Sequence, residues 1–253
     1  MQNNDIYNPF SLKGKKILIT GASSGIGKGA AIECSKMGAK VIITARNEER
    51  LQETLQQMTG EGHEIRICDL ANNKAIKEMV DTLPELNGIV NNAGFTITRP
   101  VRKIEEEAFQ QIMQVNTIAP ILTIKYLLNA KKLLNGSSIV FTSSLAGIGR
   151  MSVGNTMYGC SKGAISAFIQ GAAKELAPKS IRVNAVCPAM VETQILSAGV
   201  ITQEQVELTK KLYPLGRFGT PKDIAWAMVF LLSDASTWIT GVNLLVDGGR
   251  ALY

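Results

Sequence analysis

Tyr158 and Lys162 are four residues apart in a segment, 156–176, whose apolar residues recur at helical spacing. Side chains four apart lie on one face of a helix, so the phenol and the ammonium would be neighbours. A free tyrosine has a pKa near ~10, and a nearby ammonium stabilises the phenolate and lowers that pKa. We therefore expect Tyr158 to act as a general acid or base. Ser144, which follows a predicted strand, is placed to hydrogen-bond a substrate oxygen.

A glycine cluster, Gly-x-x-x-Gly-x-Gly over residues 21–27, lies between the first predicted strand and the first predicted helix. Glycines let a backbone approach a pyrophosphate without Cβ clashes, and the N-terminus of the following helix attracts phosphate. A lone cluster is weak evidence, but this strand-to-helix setting is the one that dinucleotide binding requires. We expect the pyrophosphate to contact Gly21, Ser23, Ser24, Gly25, Ile26 and Gly27.

The end of the second predicted strand indicates which nicotinamide cofactor is bound. NAD sites usually carry an acidic residue there, which binds the ribose hydroxyls, whereas an arginine favours the 2′-phosphate of NADP. Ala45 occupies the acidic position and Arg46 follows it. The sequence therefore favours NADP(H). NAD(H) stays open, because Glu48 and Glu49 lie just beyond Arg46.

Short apolar segments rich in β-branched residues alternate with helical segments along the chain. Several show little apolar–polar alternation, which is typical of strands buried on both faces of a parallel sheet. The predicted strands cover 16–20, 40–44, 64–68, 88–91, 138–142, 181–186 and 242–246. The predicted helices cover 25–37, 47–58, 72–82, 104–133, 156–176 and 221–233. This order predicts an α/β Rossmann fold, a doubly wound seven-stranded parallel sheet with helices on both faces.

No linker, repeat or low-complexity stretch divides the 253 residues, and single α/β domains of this length are common. We expect a tail over residues 1–12 and one domain over residues 13–253. Residues 189–215 interrupt the alternation of strands and helices. Interruptions of that length are often lids or binding loops, so we expect a substrate lid there. A helix that simply packs on the sheet is the alternative.

Composition argues against several other classes of protein. The four cysteines and the single histidine, His63, lack the close spacing of zinc ligands, so we expect no metal. His63 precedes a predicted strand, and one histidine gives little support to a Ser-His-Asp hydrolase. The net charge is +6, but the lysines are scattered and form no nucleic-acid-binding stripe. No apolar run reaches the ~18 residues that span a bilayer, and the N-terminus lacks a secretion signal, so we expect a cytoplasmic protein without a membrane partner.

The motifs together resemble the short-chain dehydrogenase/reductase family, from about Leu12 to Gly249. The glycine loop, Asn91-Asn92-Ala93-Gly94, Ser144 and Tyr158-x-x-x-Lys162 carry the resemblance. Members of this family transfer hydride between a nicotinamide and a carbonyl or alcohol. The resemblance therefore implies an oxidoreductase acting on CH–OH groups, and it implies a homotetramer.

The resemblance also implies roles for individual residues. Tyr158 would donate the proton, Ser144 would polarise the carbonyl, and Asn116 would hold a water that links Lys162 to solvent. Tyr158 and Lys162 would also contact the cofactor, Lys162 at the nicotinamide ribose. The other cofactor contacts would be Asp69 and Leu70 beside the adenine, Asn92, Ala93 and Gly94 in the pocket, and Pro188, Val191 and Thr193 towards the nicotinamide.

Three departures from the family pattern affect these roles. Pro188-Ala189 replaces the usual Pro-Gly, which adds a methyl group near the nicotinamide. The stretch after Ser144 is one residue longer than in many members, so Ser143 stays open as the catalytic serine. NADP-dependent members often have a basic residue in the glycine loop, where this chain has Ser23 and Ser24.

The sequence leaves the substrate open. The chain is similar overall to bacterial 3-oxoacyl-acyl-carrier-protein reductases, in which basic residues receive an acidic carrier protein. Lys179 matches one of those positions and Asn135 replaces the other. Sugar, polyol, steroid and small-ketone reductases share the framework and are alternatives. A dinucleotide-binding regulatory protein without turnover is a further alternative, against which the intact catalytic residues argue.

Overall fold

The computed structural model describes residues 7–193 and 203–252. Within them, the strands form one seven-stranded parallel sheet in the order β3-β2-β1-β4-β5-β6-β7. The strands are β1 (Lys16–Thr20), β2 (Lys40–Ala45), β3 (Glu64–Ile67), β4 (Leu86–Asn91), β5 (Leu133–Thr142), β6 (Arg182–Pro188) and β7 (Asn243–Val246). The helices are α1 (Gly25–Lys36), α2 (Glu48–Leu55), α3 (Asn73–Asp81), α4 (Glu106–Met113), α5 (Ala119–Asn129), α6 (Thr156–Leu176), α7 (Gln203–Lys210) and α8 (Pro221–Leu232).

Apolar side chains hold helices to both faces of the sheet, which confirms the predicted doubly wound α/β fold. On one face, Ile19 of β1 packs in a layer with Ala30 of α1 and Ile224 of α8. On the other face, Leu18 packs in a layer that includes Ile165 of α6. Successive strand residues point to opposite faces, so a strand covered on both sides needs an uninterrupted apolar run.

The strand order reverses between β1 and β4. Ile19 of β1 pairs with Ile43 of β2 on one side and with Val90 of β4 on the other. Connections from β1 and β4 leave on opposite sides of the sheet, which opens a crevice at the carboxyl ends of these strands. Ligands of open α/β sheets bind at such reversal points.

The predicted helix over residues 104–133 is not continuous. α4 ends at Met113, Gln114–Ile118 form a π-helical turn, and α5 begins at Ala119. Pro120 has no N–H to donate to the Asn116 carbonyl, so the regular α-helical bonding cannot pass through this point. Single π turns inside helices often occur at functional sites, and this one contains Asn116. The next strand, β5, also begins earlier than predicted.

Residues at the end of the predicted tail pack on the domain. Leu12 is fully buried. The ring of Phe10 lies 6.2 Å from that of Phe230 in α8. The carbonyl of Pro9 accepts a hydrogen bond from the Ala235 N–H at 3.0 Å. Packed structure therefore begins before residue 13.

Two negative findings apply to residues 7–193 and 203–252. In this part of the chain, no helix has both the length and the hydropathy of a membrane-spanning segment. In the same residues, no three His, Cys, Asp or Glu side chains converge in a way that could hold a metal ion. The single histidine, His63, contacts the backbone through both ring nitrogens. Its Nδ1 accepts from the Val41 N–H at 3.1 Å, and its Nε2 lies 3.0 Å from the Thr59 carbonyl.

Candidate active site

Most of the site residues predicted from the sequence lie at the carboxyl edge of the sheet. The glycine loop follows β1, Arg46 follows β2, Asp69 and Leu70 follow β3, and Asn92, Ala93 and Gly94 follow β4. Ser144 follows β5, Pro188 ends β6, and Val191 and Thr193 come after it. Asn116 comes from the π turn, and α6 supplies Tyr158 and Lys162.

The glycine loop needs its glycines for two separate reasons. Gly21 and Gly25 have φ angles of +66° and +54°, in the left-handed region that disfavours other residues. A Cβ atom on Gly27 would overlap the Gly21 carbonyl oxygen and come within 2.5 Å of Asn92 Nδ2. One on Gly21 would come within 2.8 Å of Ala93 Cα. The loops after β1 and β4 therefore touch where no side chain fits.

Thr20 and Asn92 fasten these two loops together. The Thr20 hydroxyl accepts from the backbone N–H groups of Asn92 at 3.0 Å and Ala93 at 3.1 Å. Asn92 Nδ2 donates to the Thr20 carbonyl at 3.2 Å. Asn92 Oδ1 accepts from the Thr142 hydroxyl, also at 3.2 Å, so the edge is linked across β1, β4 and β5.

This arrangement fits a dinucleotide. The glycine turn lies at the N-terminus of α1, where the Ser24 side chain makes no cap and the first turn holds no acidic residue. The free N–H groups of that turn suit a pyrophosphate. Next to Asn92, the Asn91 side chain is buried, and neither its donor nor its acceptor has a partner among the described residues. The edge therefore offers unused hydrogen-bonding groups.

The residues predicted at the adenine end lie at the ends of β2 and β3. Arg46 is exposed, and no hydrogen bond or ion pair of its side chain occurs within the described residues. Glu48 and Glu49 lie in the first turn of α2, where the helix dipole stabilises acidic side chains. Asp69 is exposed and its Oδ1 accepts from the Ala71 N–H at 3.0 Å, while Leu70 is buried.

The structure separates the two candidate serines. Ser143 is fully enclosed: its hydroxyl donates to the Lys162 carbonyl at 3.0 Å and lies 2.8 Å from the Ser166 hydroxyl. Ser144 begins a short 3-10 turn, where its hydroxyl accepts from the Ala146 N–H at 3.2 Å. The Ser144 side chain also lies close enough to Tyr158 to act to lower the pKa of the phenol. Ser144 is therefore the serine brought to Tyr158.

Lys162 is buried, and its ammonium has a neutral partner. Nζ donates to the Thr142 carbonyl at 2.7 Å and lies 5.8 Å from the centre of the Tyr158 ring. Burial lowers the pKa of Lys162 to about 8, because a charged ammonium loses solvation there. A Cβ atom on Gly94 would lie 3.3 Å from Nζ, so this glycine lets the loop after β4 approach the lysine closely.

The pKa of Tyr158 corrects one expectation. We expected the neighbouring ammonium to lower it, but the pKa of Tyr158 is raised above 10, mainly because burial disfavours the phenolate. The Ser144 side chain opposes this shift. The ammonium of Lys162 is turned to the Thr142 carbonyl. Tyr158 is therefore a protonated phenol at neutral pH.

Asn116 clamps the loop that follows β4. Its Oδ1 accepts from the Phe95 N–H at 3.0 Å, and its Nδ2 donates to the Phe95 carbonyl at 2.9 Å and to the Ser161 hydroxyl at 3.1 Å. One amide thus holds both backbone groups of Phe95 against the helix that carries Tyr158. The water-holding role expected for Asn116 stays a prediction.

Cys187 lies under the site, and the sequence analysis did not select it. Its thiol donates to Asn243 Oδ1 at 3.6 Å, and the nearby Ser143 side chain and Ser144 backbone act to lower its pKa. Burial raises the pKa of Cys187 to about 11, so the group is a neutral thiol. The one feature of the sequence that could have indicated a place near the site is its position directly before Pro188, which ends β6.

The segment after β6 is held by contacts from far along the chain. The Tyr213 hydroxyl accepts from the Met190 N–H at 3.1 Å, and Val191 bridges to Gly219. Sequence spacing gives no sign of these contacts, which span more than twenty residues. At its end, Thr193 lies against the glycine turn, 3.2 Å from a Cβ atom placed on Gly25. This contact brings the predicted nicotinamide end to the start of α1.

The predicted lid over 189–215 is described in part. Residues 194–202, which include Ile195, Leu196, Val200 and Ile201, lie outside the described residues. α7 follows, and its Leu208 is 55% exposed. The lid stays a prediction.

Known proteins resemble this chain over nearly its whole length. The family model for enoyl-(acyl carrier protein) reductase matches residues 21–251. The 3-oxoacyl-[acyl-carrier-protein] reductase FabG of Chlamydia pneumoniae is 36% identical, covering 95% of this chain and 98% of that protein. Glucose 1-dehydrogenase of Gluconobacter oxydans is 35% identical, covering 95% and 93%. The structure of the Pseudomonas aeruginosa RhlG/NADP active-site complex has a TM-score of 0.89 at 27% identity, covering 97% of this chain and 99% of that one.

Gly27→Ala tests whether the glycine turn receives a dinucleotide. The added Cβ would collide with the Gly21 carbonyl and displace Asn92, and overpacking of this kind costs about 1–3 kcal/mol. We expect the affinity for NADPH, measured by fluorescence titration, to fall at least about tenfold while the circular dichroism spectrum is retained.

Gly171→Ala is the matched control, because a Cβ atom there would meet nothing within 4 Å in the body of α6. It should bind NADPH as the wild type does. Equal affinities for the two variants would contradict the assignment of the turn.

Proposed function

The chain belongs to the short-chain dehydrogenase/reductase family and is an oxidoreductase acting on carbonyl and alcohol groups, and we propose that it is an NADP(H)-dependent carbonyl reductase with Tyr158 as its general acid. The observation that carries the proposal is the grouping of buried Ser144 and Lys162 with half-buried Tyr158, beside a glycine turn suited to pyrophosphate. Bound at this edge, the reduced nicotinamide supplies the hydride.

Proton transfer in the proposed reaction comes from Tyr158. Because burial raises its pKa, the phenol carries its proton at neutral pH, which is the state that carbonyl reduction needs. The Ser144 hydroxyl lies beside the phenol and would donate a hydrogen bond to the carbonyl oxygen, polarising it. As charge builds on that oxygen, the Tyr158 proton moves to it and the alcohol forms.

Lys162 and Asn116 support this step from behind the phenol. We propose that the Lys162 ammonium stabilises the phenolate left after transfer and also binds the nicotinamide ribose. Its bond to the Thr142 carbonyl at 2.7 Å keeps it in place. Asn116 would hold the water that returns a proton to this pair from solvent. The Asn116 carbonyl would accept a hydrogen bond from such a water, because Pro120 has no N–H to supply the usual α-helical hydrogen bond.

The remaining cofactor contacts follow the order of the strands. Residues of the glycine loop, Gly21, Ser23, Ser24, Gly25, Ile26 and Gly27, would bind the pyrophosphate. Arg46 would bind the 2′-phosphate, with Asp69 and Leu70 beside the adenine. Asn92, Ala93 and Gly94 would line the pocket, and Pro188, Val191 and Thr193 would border the nicotinamide. RhlG, whose structure contains NADP, supports the choice of cofactor by its similarity.

The substrate proposed first is a 3-oxoacyl group on a carrier protein, because FabG of Chlamydia pneumoniae is among the relatives. A sugar or polyol is the second candidate, supported by the glucose 1-dehydrogenase of Gluconobacter oxydans. A regulatory dinucleotide-binding protein without turnover would bind NADPH but would not oxidise it, whichever carbonyl compound is added. A spectrophotometric screen of acyl thioesters, sugars, steroids and simple ketones with NADPH and NADH separates these cases.

We further propose that the chain forms a homotetramer in the cytoplasm. A groove between α5 and α6 is lined by apolar side chains that include Ile121, Leu128 and Phe168. Beside β7, Trp238 is 99% exposed and Leu245 of the edge strand is 44% exposed. Two separate apolar surfaces would allow each chain to pair twice, whereas a monomeric mass by light scattering would reject the tetramer. The four free thiols suit a reducing compartment.

Tyr158→Phe removes the proposed acid and keeps the ring. We expect kcat for carbonyl reduction to fall by about 10²–10⁴, the usual contribution of a positioned acid, while NADPH affinity stays within about twofold. Stopped-flow absorbance at the NADPH band and fluorescence titration measure the two quantities. Retention of wild-type kcat would remove Tyr158 from the mechanism.

The pH dependence of NADPH capture tests the charge on Lys162. Its pKa is about 8, so the ammonium is charged below that pH and neutral above it. If the charged form binds the ribose, kcat/KM for NADPH should be level at low pH and fall as pH rises through about 8. The Tyr158 phenol, with its raised pKa, contributes no limb in that range. A level profile up to pH ~10, near the ordinary lysine value, would show that the charge is not needed.

Arg46→Asp tests the preference for NADP(H). A carboxylate at this position would repel the 2′-phosphate and could accept hydrogen bonds from the ribose hydroxyls of NAD. We expect NADPH affinity to fall by about 10–100-fold, the loss of one or two charge-assisted hydrogen bonds, and NADH affinity to rise. Arg50→Asp, four residues on in α2, is the control for a simple change of net charge. An unchanged preference in Arg46→Asp would count against NADP(H).

A further inference from the structure

Two loops form one rim beside Tyr158. The loop that follows Phe95 and the loop that precedes α6 are joined by a backbone hydrogen bond from Arg99 N–H to the Gly154 carbonyl at 2.9 Å. The Thr98 hydroxyl adds a bond to Asn155 Oδ1 at 3.1 Å. The two loops therefore behave as a single wall.

This wall is fixed to the catalytic groups at both ends. The Asn116 amide holds Phe95 at its start, and the Asn155 carbonyl accepts from the Gly159 N–H, next to Tyr158, at 2.8 Å. Met151 lies over the same position, because a Cβ atom on Gly159 would overlap its sulfur. The wall therefore lies directly beside the helical turn that carries the phenol.

The wall carries positive charge that the described residues do not neutralise. Arg99 and Arg150 are exposed, and neither forms an ion pair within the described part of the chain. One nitrogen of Arg99 donates to the neighbouring Thr98 carbonyl at 3.0 Å, which leaves its other N–H groups available. Arg102 and Lys103 follow on the first loop and are also exposed.

Acidic residues are rare in the stretch of sequence that contains both loops. Between Glu85 and Glu175 the chain has three, Glu105, Glu106 and Glu107, at the start of α4. Of these, Glu106 is engaged by the Gln110 amide at 2.9 Å. Across the cleft, Glu192 is exposed on the segment after β6. Neither loop of the wall contains an acid.

We propose that the substrate carries an anionic group, a carboxylate or a phosphate, which Arg99 and Arg150 bind at this rim. The inference rests on the proposed reductase function and adds the charge class of the substrate. Guanidinium groups match the two oxygens of such anions in a planar, two-pronged geometry. An anion held there would fix one end of the molecule and leave its carbonyl for Tyr158.

The test compares matched acids and esters. Acetoacetate and levulinate, each beside its methyl ester, are assayed with NADPH on the wild type, on the double variant Arg99→Gln/Arg150→Gln and on Lys174→Gln. The control removes an exposed charge sixteen residues after Tyr158 in α6, roughly 24 Å along the helix. The wild type should prefer each acid, and the double variant should raise KM for the acids at least about tenfold with little change for the esters. The control should match the wild type.

Other outcomes separate the inference from the function beneath it. Equal use of acids and esters by the wild type, or an equal loss on both in the double variant, would overturn the anion site and leave the reductase standing. If NADPH binds but no probe is reduced, acetoacetate must still raise the melting temperature of the NADPH complex in the wild type and not in the double variant. If it does not, the anion site is rejected. A loss confined to a 3-oxoacyl carrier protein would assign the rim to protein docking instead and overturn the proposal.

Discussion

A buried ammonium with a neutral partner determines how the active-site half of the domain is built. Lys162 is 4% exposed, and its hydrogen bond runs to the Thr142 carbonyl at the end of β5. Burying a charge is costly unless it is held by good acceptors, so this bond sets where α6 meets the strand. Ser143, directly after Thr142, returns the contact by donating to the Lys162 carbonyl. The two bonds fix the register of the helix, and Tyr158 and Ser144 are positioned as a result.

The same helix organises the loop after β4 through Asn116. The π turn, which Pro120 follows in the first turn of α5, places the Asn116 amide on the Phe95 backbone. Ser161, adjacent to Lys162, accepts from that amide and donates to the Tyr158 carbonyl. Motion of α6 would therefore displace the wall formed by the two loops. The same hydrogen bonds position the catalytic residues and this wall.

Local pattern in the sequence was enough to predict the sheet, its parallel strands and the helix-borne pair of Tyr158 and Lys162, because strand burial and helical spacing are local properties. The choice between Ser143 and Ser144 was not local. It depends on which hydroxyl hydrogen-bonds Ser166 of α6, 23 residues along the chain. The anchoring of Met190 by the Tyr213 hydroxyl escaped the sequence for the same reason, since neither residue has a distinctive neighbour.

The direction of the Tyr158 pKa shift was predicted wrongly because the cost of burying a phenolate was left out. That cost is the largest influence on the phenol and raises its pKa, although Lys162 Nζ lies 5.8 Å from the centre of the ring. The sequence has few acidic residues between Glu85 and Glu175. The pocket holds the Lys162 ammonium, whose pKa is lowered, and the Tyr158 phenol, which keeps its proton.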